Sequence, residues 1–114
     1  MSRLLLLHGF LGRGADWAAV REHLPPRFDV RAPDLPGHGT AVGLAAAAYT
    51  MDGAAGQLAD LLRGEPADVV GYSMGGRLAL HFALRHPSLV RRLVLVSASP
   101  GLRTDAERSA RRAL

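Results

Sequence analysis

The sequence predicts an open α/β fold built on a parallel sheet with helices on both faces. Two patterns carry that expectation. Short aliphatic runs recur at Arg3 to Leu7, Phe28 to Ala32, Ala67 to Gly71 and Val90 to Ser97, and stretches with helical spacing separate them. Runs that are apolar on both faces suit strands buried between helical layers, and strand, helix, strand order with right-handed crossovers keeps the strands parallel. At 114 residues, 48% of them apolar and 21% charged, the chain holds one globular domain at most.

The first strand, Arg3 to Leu7, ends in His8-Gly9. Ala15 to Leu24 follows as a helix, with Trp17, Val20 and Leu24 at helical spacing and Pro25-Pro26 to stop it. Phe28 to Ala32 is the second strand, closed by Pro33. Residues 34–49 hold Pro36, Gly37, Gly39 and Gly43 and read as a surface loop. Thr50 or Asp52 caps a helix to about Leu62, with Leu58, Leu61 and Leu62 facing inward and Gly64, Glu65 and Pro66 ending it. Ala67 to Gly71 is the third strand, Met74 to Arg85 a helix, and Val90 to Ser97 the fourth strand. Ser97 to Leu102 is a loop, and Thr104 opens a basic helix still running at Leu114. A domain seldom ends inside such a helix, so the chain reads as the N-terminal part, residues 1–114, of a single longer domain.

Composition narrows the function classes. The formal net charge is +4, yet all 14 basic residues are arginine, and 19 alanines and 19 leucines accompany them. That is the signature of a GC-rich coding bias rather than of a polyanion partner. Four of the arginines (Arg103, Arg108, Arg111 and Arg112) fall in the last twelve residues, and aromatics make up only 5% of the chain. Few platforms for base stacking remain, so no nucleic-acid partner is expected. The longest aliphatic run, Leu4 to Leu7, is far short of the roughly 18 residues of a membrane span. His8, Gly9 and Arg13 interrupt any signal-peptide core. The absence of cysteine excludes a disulfide framework and a thiolate zinc site, and a cytoplasmic location is the expectation.

The segment carrying the most chemistry is Gly71-Tyr72-Ser73-Met74-Gly75-Gly76, a Gly-x-Ser-x-Gly between the third strand and the helix after it. A nucleophile on so tight a turn crowds the residues two before and two after it. Glycine at 71 and 75 relieves that crowding, and the turn lifts the Ser73 hydroxyl above the sheet at a helix N-terminus. At the end of the neighbouring first strand, His8-Gly9-Phe10 brings a second backbone segment close, so that the N–H groups of Phe10 and Met74 converge as an oxyanion hole. His8 itself reads as a structural hydrogen-bonder, and Asp34, in Asp34-Leu35-Pro36-Gly37-His38-Gly39, reads as a cap for local backbone N–H groups.

His8-Gly9-Phe10, Asp34 to Gly39 and Gly71 to Gly76, in this order and spacing, resemble the α/β-hydrolase superfamily. Within it the chain is most similar to the 2-succinyl-6-hydroxy-2,4-cyclohexadiene-1-carboxylate synthase family of menaquinone biosynthesis. Two features narrow the resemblance: Arg77 directly after Gly75-Gly76, and Ser99-Pro100-Gly101-Leu102 leading into Ala106 to Arg111. The resemblance implies a lyase rather than a hydrolase, with Ser73, activated by a histidine, as the base for elimination of pyruvate. It further implies that Tyr72 lines the pocket, that Arg77 and Arg111 hold substrate carboxylates, and that neither metal nor organic cofactor takes part. The substrate it implies is a small polycarboxylate. Spacing agrees for the arginines. Arg77 lies one turn below Ser73, where a guanidinium can meet a carboxylate in two parallel hydrogen bonds, and Arg108 and Arg111 share a face of the helix where a lid would begin. The generic alternative is a serine hydrolase acting on esters.

In this fold the acid and the histidine follow the nucleophile on later loops. None of His38, His81 or His86 stands at such a position, so the isolated chain is expected to be inactive and its sheet to expose apolar surface along an uncovered edge.

Overall fold

A computed structural model describes residues 2–99, 101 and 104–113. Four strands, β1 (Ser2–Leu7), β2 (Phe28–Arg31), β3 (Ala67–Tyr72) and β4 (Val90–Val96), form one sheet in the order β2-β1-β3-β4, and every neighbouring pair is parallel. The helices are a single turn α1 (Ala18–Arg21), then α2 (Met51–Leu62), α3 (Met74–Arg85) and α4 (Asp105–Arg112). Pro100, Leu102 and Arg103, in the segment leading to α4, lie outside the described residues, as do Met1 and Leu114.

Alternation along β1 assigns the two faces of the sheet. Leu5 and Leu7 join Val69 on the side packed by α2 and α3, where Ala54, Ala55, Leu58, Leu62, Leu78, Ala79 and Phe82 complete the core. Leu4 and Leu6 point the other way and are also buried. Burial on both faces is why the strand reads as one apolar run. α2 begins where Thr50 accepts a hydrogen bond from Gly53 N–H at 2.9 Å, and it ends at Arg63 in the left-handed region (φ 51°), one residue before the expected glycine. Its last turn is held from the sheet, because Arg3 donates to the Leu62 carbonyl at 2.7 Å.

The first helix departs from expectation. Instead of a helix over Ala15 to Leu24, the chain makes a 3-10 turn at Gly14–Trp17 followed by α1, none of whose residues is buried. The segment is pinned at its start, where a Cβ on Gly14 would overlap the Ala32 carbonyl, and broken at its end by Pro25-Pro26. Too little apolar surface is buried between those points to sustain a longer helix. The loop after β2 also contains a 3-10 turn, Ala46–Tyr49, that its composition did not suggest. The expected edge is present: among the described residues β4 pairs with β3 alone, and Val94, Leu95 and Val96 are 38–51% exposed. Among the described residues no helix is long and apolar enough to cross a membrane.

Candidate active site at the strand ends

Ser73 sits between β3 and α3 with φ 52° and ψ −114°, a conformation non-glycine residues rarely adopt and one that costs about 1–3 kcal/mol. Neighbouring elements impose it. The Ser73 N–H donates to the Val96 carbonyl of β4 at 2.9 Å, while the Ser73 carbonyl accepts from Gly76 and Arg77 at 2.9 and 3.1 Å. The flanking glycines are required by contact. A Cβ on Gly71 would strike the Gly75 carbonyl and the Gly76 Cα, and one on Gly75 would strike the carbonyls of Leu7 and His8. Gly75 therefore serves the packing of α3 against β1 as well as the turn itself.

The register Leu7↔Gly71 carries the end of β1 alongside the elbow. A Cβ on Gly9 would lie 3.6 Å from the Ser73 Cβ and 2.9 Å from the Tyr72 ring, so only glycine lets the Gly9-Phe10 backbone come this close. Met74 N–H occupies the first position of α3, where a helix offers no internal acceptor. Both expected oxyanion donors thus belong to segments that meet at Ser73.

The buried His8 is structural. Its Nε2 accepts from Leu35 N–H at 2.9 Å, which leaves the proton on Nδ1 to be donated to the Gly9 carbonyl at 2.8 Å. The ring thereby ties the loop after β2 to the oxyanion loop. His38 donates through Nδ1 to the Pro36 carbonyl at 3.1 Å and stands 5.0 Å from the His8 ring, with Phe10 edge-on to it at 5.8 Å. His81 is bonded to Asp52 at 2.7 Å, and His86 lies against Phe82. Among the described residues no histidine is hydrogen-bonded to Ser73. The His81–Asp52 pair was not foreseen; its only sequence signal is that His81 lies one turn beyond Arg77 on α3. That hydrogen bond, reinforced by Arg85 at 3.3 Å, holds the Asp52 carboxyl below the usual carboxylate range.

Asp34 caps backbone as expected, but over a longer reach. Its carboxylate accepts from Thr40 N–H and Thr40 Oγ1, each at 2.9 Å, and from Gly14 N–H, twenty residues upstream, at 2.8 Å. These bonds, led by that of the Thr40 backbone, lower its pKa from 3.8 to about 2. A carboxyl depressed in the folded state contributes stability that is complete above its unfolded pKa and is lost as pH falls through the folded one. We therefore expect Asp34→Asn to be destabilised by about 1–2 kcal/mol at neutral pH, after allowance for solvent screening, with the difference from the parent vanishing between pH 4 and 2. Urea titrations across that range test this, and an equal deficit at pH 2 and pH 7 would contradict it.

Phe10, Ser73, Met74, Arg77 and Arg111 line one cavity of about 430 Å³, together with Ser97 and Ser99 just after β4, to which the sequence assigned no role in the site. Their signal was positional, since sites in parallel sheets gather at the carboxyl ends of strands. Tyr72 is placed elsewhere: it lines a neighbouring cavity with Trp17 and Val20, and Phe10 lines both. Of the α4 arginines, Arg108 is paired to Asp105 at 2.9 Å and Arg112 reaches Ser109, while Arg111 lines the cavity. Neither Arg77 nor Arg111 forms an ion pair among the described residues. No group of three or more His, Asp or Glu among those residues is arranged to hold a metal ion.

Residues 2–114 match the alpha/beta hydrolase fold family. The chain belongs to that family. Among related α/β-hydrolase sequences, a putative 2-succinyl-6-hydroxy-2,4-cyclohexadiene-1-carboxylate synthase of Haemophilus influenzae is 39% identical over 97% of this chain and 47% of its own length. A pimeloyl-[acyl-carrier protein] methyl ester esterase of Chromobacterium violaceum is 43% identical over 85% of this chain and 37% of its own. Among solved α/β-hydrolase structures, MenH from S. aureus superposes with a TM-score of 0.86 at 31% identity, covering 98% of this chain and 43% of that one. The chain thus spans less than half the length of the relatives it matches.

Proposed function

We propose that this chain is the nucleophile-bearing part of a 2-succinyl-6-hydroxy-2,4-cyclohexadiene-1-carboxylate synthase, a lyase of the α/β-hydrolase fold that acts on a small polycarboxylate in menaquinone biosynthesis. The observation that carries the reading is the pair Arg77 and Arg111. Both line the Ser73 cavity without an acidic partner among the described residues. Arg77 is half-buried with no protein carboxylate beside it, which an anionic ligand would match, and the exposed Arg111 across the same cavity offers a second cation, so the pair suits a substrate with more than one carboxylate.

In the proposed reaction Ser73, deprotonated by a histidine supplied outside this chain, takes a proton from carbon. The electron pair left behind forms a ring double bond to the next carbon, the existing ring double bond shifts one position along the ring, and the ring carbon–oxygen bond to the enolpyruvyl group breaks. Pyruvate departs as its enolate and takes up a proton on carbon. The N–H groups of Phe10 and Met74 hold the enolate oxygen that develops as the first proton leaves. Arg77 and Arg111 fix the carboxylates so that the acidic carbon faces Ser73.

Pyruvate release by an enzyme containing this chain tests the reading. Arg77→Gln is expected to lower kcat/KM about 100-fold, corresponding to the loss of a charge-assisted pair, with the melting temperature unchanged. Undiminished release by that variant would remove Arg77 from the site.

The relative from Chromobacterium violaceum supports a second reading, hydrolysis of a carboxylic ester through an acyl-Ser73 intermediate. Rapid cleavage of short nitrophenyl esters without dependence on Arg77 would favour it.

A further inference from the structure

Met74 and Arg77 line two cavities at once. On one side is the polar chamber that holds Ser73 and Arg111. On the other is a groove of about 490 Å³ between the 3-10 turn Ala46–Tyr49, α2 and α3. Its walls are mostly aliphatic and aromatic: Leu35, Tyr49, Met51, Leu80 and Leu84 face it. Several of these are exposed, Tyr49 by 49%, Met51 by 45% and Leu84 by 73%. Its rim is organised. The Tyr49 hydroxyl accepts from Leu44 N–H at 3.1 Å, its ring lies against Gly37, and Thr50 caps α2. His81, the histidine that faces the groove, is already bonded to Asp52. The groove therefore offers shape and apolar surface, and its cation, Arg77, also lines the Ser73 cavity.

We infer that the groove is a substrate subsite for a hydrocarbon arm or ring whose carboxylate is held by Arg77, so that the protein selects amphipathic carboxylates over short, fully polar ones. The inference rests on the proposed anion site at Arg77. The shared wall decides the occupant, because Arg77 lines both cavities: an apolar ligand with no anion would leave Arg77 unpaired beside it, and a purely polar anion would leave the groove wet. A molecule with both parts satisfies the two walls together.

Nuclear magnetic resonance titration of the 15N-labelled protein with butanoate and octanoate tests this. Both anions are expected to shift amides at Ser73 to Arg77. Octanoate is expected to bind at least about 10-fold more tightly, since each buried methylene adds to its affinity, and to shift amides at Tyr49 to Ala54 and Leu80 to Leu84 as well. Leu84→Gln and Met51→Gln alter exposed side chains and should preserve the fold; each is expected to remove most of the octanoate advantage while leaving butanoate binding as it was. Arg77→Gln is expected to weaken both ligands about 10-fold or more. Equal affinities for the two anions, an octanoate advantage indifferent to the groove variants, or octanoate binding undiminished in Arg77→Gln would each overturn the inference. Butanoate binding at Arg77 with no gain from chain length overturns the groove alone and leaves the proposed anion site standing. If neither anion perturbs Ser73 to Arg77, both fail.

Discussion

Ser73→Ala is expected to reduce turnover of the enzyme carrying this chain by about 10⁴-fold while leaving its melting temperature within a few degrees of the parent. The size follows from what the hydroxyl does in the proposed reaction: it is the group that takes the proton, and removing such a group leaves only binding and the oxyanion donors. The stability expectation follows from geometry. The φ of 52° at residue 73 is imposed by the bond to Val96 and the bonds from Gly76 and Arg77, all of them backbone contacts that alanine keeps. Among the described residues Ser73 has no side-chain hydrogen bond to lose, and it makes no capping bond to α3. Steady-state kinetics and a thermal melt on the same preparation check both halves. Residual activity within 10-fold of the parent would mean that Ser73 is a turn residue and not the base.

Gly75→Val is expected to be the most damaging single change to the fold, costing about 3 kcal/mol or more and abolishing accumulation of soluble protein. A side chain at this position meets the carbonyl oxygens of Leu7 and His8, backbone atoms at and just beyond the end of the buried central strand β1. A flexible neighbour could swing aside, but β1 is paired on both edges, with β2 and with β3, and cannot. α3 would have to lift from the sheet, carrying Leu78, Ala79 and Phe82 out of the core. Gly56, in the middle of α2, is the control: nothing lies within 4 Å of where its Cβ would be, so Gly56→Ala is expected to be neutral or slightly stabilising. Soluble yield of both variants, with chemical denaturation of whatever accumulates, checks the contrast, and a Gly75→Val protein of parent yield and stability would refute the close approach.

The strands and the elbow were legible because their signals are local. β1 is an apolar run buried on both faces, and the elbow needs glycine where a Cβ would strike backbone. Met74–Arg85 is helical over the very span that its spacing predicts. What stayed hidden depends on contacts between segments distant in sequence. Asp34 looked like a local cap, and only the return of the chain near Gly14 shows that its carboxylate joins two loops. The stretch after Gly14 had the spacing of a helix but lacked a surface to bury, so it closed as a short turn. Tyr72 adjoins Ser73 in sequence, yet alternation at the end of a strand sends its side chain to the neighbouring cavity. Among the three α4 arginines the family resemblance singled out Arg111, but the contacts that separate them appear only in the structure: Asp105 engages Arg108 and Ser109 meets Arg112, whereas Arg111 lines the cavity. The two-cavity arrangement around Arg77 has no linear signature, because its walls come from the 3-10 turn, α2, α3, the end of β4 and α4.

The central claim is that Ser73 and the arginines beside it serve elimination from a polycarboxylate and not ester hydrolysis. A competition assay tests it most directly: the enzyme carrying this chain is given 2-succinyl-5-enolpyruvyl-6-hydroxy-3-cyclohexene-1-carboxylate and a pimeloyl methyl ester together, and pyruvate and methanol are measured in the same tube. Pyruvate formed at least 100-fold faster than methanol, and lost in both Ser73→Ala and Arg77→Gln, is the predicted result. Methanol formed faster than pyruvate, with Arg77→Gln as active as the parent, would contradict it and make the protein an esterase.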